Sequence, residues 1–144
     1  MQIEPDVKKA GANAVVMGYD AKSASEFCRR WLPAWTGNRP HHLGSFYTED
    51  AFYADPAHPI GIVGKKDLLA YFSRLLTRYP RWTWTHQRSL PLPDGFLNYW
   101  SASLDGDDSG CFEGVCVVRL RDGLIFRNEV FFDRTALVDS TRRT

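Results

Sequence analysis

This chain of 144 residues is short of cysteine, of net charge and of long apolar runs, and each shortage closes a class of function. Its three cysteines, Cys28, Cys111 and Cys116, are odd in number and form no Cys-x2-Cys pair. A disulfide framework is therefore not expected, and a reducing, cytoplasmic setting is. No His-x3-His or Cys-x2-Cys spacing is present, so neither a metal nor any other cofactor is expected. The formal net charge is +1 and the basic residues are scattered, which leaves no electrostatic footprint for nucleic acid or an anionic membrane. No segment approaches the roughly 18 apolar residues of a membrane helix. The run Ala14-Val15-Val16-Met17 is too short for the apolar core of a signal peptide.

What the chain does hold is apolar and aromatic bulk. Hydrophobic residues make up 44% and aromatics 14%, with five tryptophans. That composition suits one packed domain. Residues 1–20 read as a leader, 21–138 as the domain and 139–144 as a tail.

Ser23 and Glu26 match a capping box, and Phe27, Cys28, Trp31, Leu32 and Trp35 follow at helical spacing until Thr36-Gly37-Asn38. Pro40 opens a short second helix carrying Leu43, Phe46 and Tyr47. A strand over 51–54, a loop from Asp55 to Gly64 and a third helix over 65–78 come next. From residue 81 the pattern alternates with period two. Strands are expected from residue 81 and over 96–104, 111–121 and 124–133, with Pro91–Gly95 as one turn and Asp122-Gly123 as a tight hairpin. Helices grouped ahead of an antiparallel meander make an α+β fold.

One acid stands out in DAFYADPAHPIGIVG. Asp55 ends an apolar strand and is followed by Pro56, with His58 three residues on. It is either a proton acceptor at the edge of a pocket or a turn aspartate bonding nearby backbone.

The helix ending AWTGN, then FYTEDAFYADP, then GKKDLLAYF and the hairpin VVRLRDGLIFRNEVFFD resemble the nuclear transport factor 2-like superfamily. The likeness is to its SnoaL-like, ketosteroid isomerase-like branch and spans about residues 24–138. The resemblance implies a cone: a curved antiparallel sheet wrapped around about three N-terminal helices, enclosing an apolar pocket. It also implies a homodimer through the outer sheet face. Asp55 falls at the isomerase base position. The isomerase's two oxyanion donors fall at Trp31 and near Cys116, neither of which supplies that pair, and the epoxide hydrolase triad falls near Ser101, Ser103 and Val130. His86 is a counterpart for the histidine of scytalone dehydratase-like members.

The candidate catalytic residues are therefore Asp55, His86 and Tyr99. Trp31, Tyr53, His58, Phe72, Trp84, Ser101, Cys116, Asn128 and Phe132 are the candidate substrate-binding set. Asn128, Val130 and Phe132 share one strand face, which the resemblance turns inward, as it does the face of Tyr99, Ser101 and Ser103, with Glu129 and Asp133 outward. The expected partner is a small apolar carbonyl compound, polyketide- or steroid-like. The expected reaction is isomerisation or cyclisation by proton abstraction, with Tyr99, Asn128 or His86 holding the enolate. A dehydratase centred on His86 and a non-catalytic binding protein are the alternatives.

Overall fold

A computed structural model describes residues 19–106, 110–135 and 137. The expected leader up to residue 18 and the tail over 139–144 lie outside the described residues. Helix α1 spans Ala21–Trp31 and buries Ala24, Phe27, Cys28 and Trp31, a stripe at three- and four-residue spacing. Its cap is Asp20, whose carboxylate accepts the Ser23 amide at 2.8 Å, so the expected capping box at Ser23 is corrected by one turn. Pro33 cannot continue an α-helix, and Leu32–Trp35 tightens into a 3₁₀ turn. Gly37 and Asn38, both at positive φ, then reverse the chain. The indole of Trp82 donates to the Trp35 carbonyl at 2.6 Å, which ties this turn to the approach to the third strand.

Helix α2 is a single turn, Pro40–Gly44. Tyr47, expected on that helix, instead begins strand β1, Tyr47–Asp55, which is more than twice as long as the expected strand. The expected loop after Asp55 contains a further strand, β2, His58–Val63, paired antiparallel with β1. This strand holds Pro59 and Gly61, residue types more usual in loops, but β2 is an edge strand, where a missing ladder amide is tolerated. Gly61 sits at φ 103° with the Phe52 ring packed against it, so a side chain there would collide. Helix α3, Lys65–Arg78, buries Leu68, Tyr71, Phe72 and Leu76. Strands β3 (Thr83–Leu92), β4 (Gly95–Ser103), β5 (Cys111–Arg121) and β6 (Leu124–Phe132) form the meander. Asp122 and Gly123, at φ 55° and 81°, make the tight turn that their sequence signals.

The six strands form one curved, open sheet in the order β2-β1-β6-β5-β4-β3. It is mixed: β1 runs parallel to β6, with Tyr53 opposite Asn128, whereas every other pairing is antiparallel. Helices α1 and α3 lie on the inner face, α1 against β3 and β4 and α3 against β1 and β2. The core between them is strongly aromatic. Trp35 alone has rings of Tyr53, Phe72, Trp82 and Trp84 within about 6.4 Å of its own. Each fully buried large side chain contributes roughly 1.5–3 kcal/mol through its removal from water.

Candidate functional site

A cavity of about 320 Å³ remains between the helices and the inner sheet face. That volume lies in the range of small-molecule sites. Its interior wall is apolar: Trp31, Trp84, Trp100, Cys116, Val130 and Phe132. It opens to solvent between the end of β1, helix α3 and the segment after β6, where the lining residues Ala57, Arg74, Arg78 and Arg134 are exposed.

Asp55 lies in the cavity wall and is 8% exposed. It is the last residue of β1, on the face shared with Ala51 and Tyr53. One carboxylate oxygen, Oδ1, accepts the amides of Ala57 and His58, both at 2.9 Å, which forms the turn into β2. The other, Oδ2, accepts the hydroxyls of Tyr53 at 2.8 Å and Tyr71 at 2.5 Å. Asp55 is thus a turn residue through one oxygen and a cavity residue through the other.

The two tyrosines remain protonated. Burial pushes the Tyr53 phenol well above its ordinary value, and the Asp55 charge adds to the rise. Burial likewise raises Tyr71, reinforced by the hydrogen bond and charge of Asp55. Both hydroxyls therefore serve Asp55 as donors. His58 is exposed, and its ring stacks edge-on against Tyr71 from outside at 4.5 Å between centroids.

Of the residues expected at the site, Asp55, Trp31, Tyr53, Trp84, Cys116 and Phe132 line the cavity, and His58 does not. Phe72 is fully buried in the aromatic core between Trp35, Tyr47 and Tyr53, away from the lining. Tyr99 and Ser101 are corrected. The inward face of β4 is Phe96, Asn98, Trp100 and Ala102, so its alternation is displaced by one residue from the expected one. Tyr99 stands outside with the Arg88 guanidinium 3.9 Å from its ring centroid, and Ser101 Oγ accepts from the Gln87 side chain at 2.8 Å.

Asn128 and His86 face inward without reaching the cavity. Asn128 is fully buried and donates to the Tyr47 hydroxyl at 3.0 Å, leaving its own carbonyl oxygen without a partner. His86 Nδ1 lies 2.6 Å from Asn98 Oδ1, and the Asn98 amide nitrogen has no partner. The indole nitrogens of Trp31 and Trp84 are also buried without an acceptor. Among the described residues no cluster of three or more His, Cys, Asp or Glu is placed to hold a metal ion.

Sequence reasoning passed over Tyr71, Arg74 and Arg78, and counted Trp100 with the aromatic core by default. The first three, with Leu75, recur on α3 at spacings of three and four, so they share a helix face, and that face borders the cavity. The signal was present but was masked by the more apolar stripe through Leu68, Phe72 and Leu76.

A SnoaL-like domain model matches residues 28–128, well over half the chain. The chain belongs to the SnoaL-like domain family. Solved structures agree with that membership. A SnoaL-like protein of unknown function from Burkholderia thailandensis E264 superposes with a TM-score of 0.64 at 16% identity, covering 76% of this chain and 93% of its own. A protein with a ketosteroid isomerase-like fold from Catenulispora acidiphila DSM 44928, in complex with trimethylamine, gives 0.62 at 19% identity, covering 79% and 90%. TerC, co-crystallised with polyporic acid, gives 0.65 at 13% identity, covering 79% and 94%. At these identities the likeness establishes the fold, the α+β cone common to this family. No curated protein matches the sequence. No helix among the described residues is long and apolar enough to cross a membrane.

Proposed function

We propose that this SnoaL-like protein binds a flat, apolar carbonyl compound in its cavity and removes a proton next to the carbonyl, leading to isomerisation or cyclisation. The observation that carries the reading is Asp55, a carboxylate set in an otherwise largely aromatic wall and bound to two tyrosyl hydroxyls. A carboxylate has about four lone-pair sites, and here each is occupied by a donor. In this arrangement no lone pair of Asp55 is left over to receive a substrate proton.

A ligand carbonyl changes that balance. When its oxygen takes the Tyr71 hydroxyl, Oδ2 of Asp55 loses one donor and gains a free lone pair. The same exchange delivers a hydrogen bond to the oxygen on which enolate charge develops. Tyr71 thereby replaces the oxyanion donors that the sequence left open, and it replaces Tyr99, Asn128 and His86 in that role. The proton passes from the α-carbon to Asp55, and from Asp55 to the new position on the ligand. That TerC, of the same fold, was co-crystallised with polyporic acid supports a small organic ligand. The reading includes a cytoplasmic setting, supported by an odd count of three cysteines with no Cys-x2-Cys pair. It also includes a homodimer across the outer sheet face, supported by Phe131 at 52% and Val63 at 66% exposure.

The test is deuterium uptake at the α-carbons of a panel of ketones. Wild type should catalyse exchange, Asp55→Asn should abolish it, and Tyr71→Phe should slow it by about 10²–10³-fold. Exchange that persists in Asp55→Asn would remove Asp55 as the base. A second reading follows from the filled lone pairs themselves. If ketones bind without exchanging, the cluster is a rigid wall and the protein a non-catalytic binder.

A further inference from the structure

Four arginines on this surface are answered by a carboxylate, and those at the cavity mouth are not. Arg81 pairs with Asp105, Arg119 with Asp94, Arg121 with Asp50 and Arg127 with Glu129. Arg74, Arg78 and Arg134 pair with no described carboxylate, yet all three border the same opening. Arg74 and Arg78 stand one turn apart on α3, and Arg134 follows the end of β6.

Aromatic rings hold two of the three. The Arg74 guanidinium lies 6.0 Å from the Tyr71 ring centroid, and Arg78 donates through Nε to the Tyr79 hydroxyl at 3.0 Å. Both Arg74 and Arg134 are near enough to the Tyr71 phenol to oppose the rise in its pKa. Among the described residues Asp55 is the sole carboxylate of the lining, and its hydrogen-bonding capacity is already used by neutral donors. The lining thus carries a surplus of positive charge beside a low-dielectric aromatic wall, where an opposite charge is attracted more strongly than in open water.

We propose that the ligand of this cavity is an anion: a flat apolar body that lies against Trp84, Trp100 and Phe132 and carries a carboxylate held at the mouth by Arg74, Arg78 and Arg134. This rests on the reading of the cavity as a site for a flat apolar molecule and narrows its class from neutral ketones to acids. Planar guanidinium groups suit a carboxylate because they donate in parallel pairs. Held there, the acid fixes which end of the molecule enters first, so the same carbon meets Asp55 and Tyr71 each time.

Calorimetric titration of wild type and the triple variant Arg74→Gln, Arg78→Gln, Arg134→Gln with 2-naphthoate and its neutral analogue 2-acetonaphthone tests the proposal. Wild type should bind the naphthoate about tenfold more tightly at low salt, the preference fading at high salt and in the triple variant. Affinity for the ketone should stay the same in both proteins. Equal wild-type affinities for the two probes, or a preference that survives the triple substitution or high salt, overturns the proposal and leaves the apolar cavity intact. Failure of wild type to bind either probe overturns the cavity reading and this proposal together. The thermal midpoint of the triple variant checks its fold. Should it unfold, each single variant is expected to lose about two- to threefold in naphthoate affinity alone, and no loss in any of them counts against the proposal.

Discussion

Two groups of polar side chains lie on the inner face of the sheet, and the fold treats them in opposite ways. At the end of β1, one carboxylate collects four donors and stands in a cavity wall. Farther along the sheet, Asn98 and Asn128 each leave one amide atom buried without a partner, and neither borders the cavity. The carboxylate cluster needs the helices, since Tyr71 comes from α3, whereas Asn128 finds its one partner, Tyr47, on the neighbouring strand β1. A polar residue on the inner face is therefore not by itself a site residue. What distinguishes the site is convergence of groups from separate elements on one accessible surface.

The largest expected effect breaks the cluster at its centre. Asp55→Ala orphans two amides and two hydroxyls and should cost about 3 kcal/mol of stability in urea unfolding, with roughly 1 kcal/mol per lost bond and some recovery through water. A loss below about 1 kcal/mol would mean that the four bonds do not act as a unit. Next comes Tyr47→Phe, which removes the one partner of the Asn128 side chain among the described residues and should cost about 1 kcal/mol, with ketone exchange unchanged. A Tyr47→Phe variant that lost exchange while keeping its fold would draw the second polar group into the site.

Alkaline pH sharpens the same contrast. Burial pushes the Cys28 thiol up to about 12 and raises Tyr47, Tyr53 and Tyr71. Each such group holds its proton more tightly folded than unfolded. Stability is full below the unfolded values, about 8.5 for cysteine and 10 for tyrosine, and declines as pH rises toward the folded ones. The urea midpoint should therefore fall between pH 9 and 11, and Cys28→Ala should flatten the earliest part of that fall. A midpoint constant across the window would contradict the burial of these groups. The smallest effect belongs to the exposed rim: Arg74→Gln should change stability by less than about 0.5 kcal/mol. A larger loss would show that Arg74 holds the fold together instead of waiting for a ligand.

Much of this arrangement was legible in the residues themselves. Period two put Asn128, Val130 and Phe132 on one face of β6, the family resemblance turned that face inward, and Asp122-Gly123 marked the hairpin. Strand β4 misled because both of its faces carry an aromatic, Tyr99 on one and Trp100 on the other, and period two cannot rank them. The bulge between His86 and Arg88 shifts the pairing of β3 with β4 partway along, which no local pattern marks. Strand β2 hid behind Pro59 and Gly61, whose usual meaning lapses at a sheet edge. The donors around Asp55 were out of reach for a different reason. Tyr71 is sixteen residues away along the chain, and only the packing of α3 on β1 brings its hydroxyl to the carboxylate.

The parallel pairing of β1 with β6 also governs how the protein is born. During synthesis β1 emerges early, but its second hydrogen-bonded neighbour is the last strand of the sheet. Until Leu124–Phe132 has left the ribosome, the strand that carries Asp55 has only β2 beside it and an open edge on the other side. Closing so long a loop is slow, which makes this the expected late step of folding. A nascent chain stalled before Leu124 thus exposes a sticky edge and has no finished cavity. For this protein the interval between the sixth strand's appearance and its docking is the period when a chaperone has most to do.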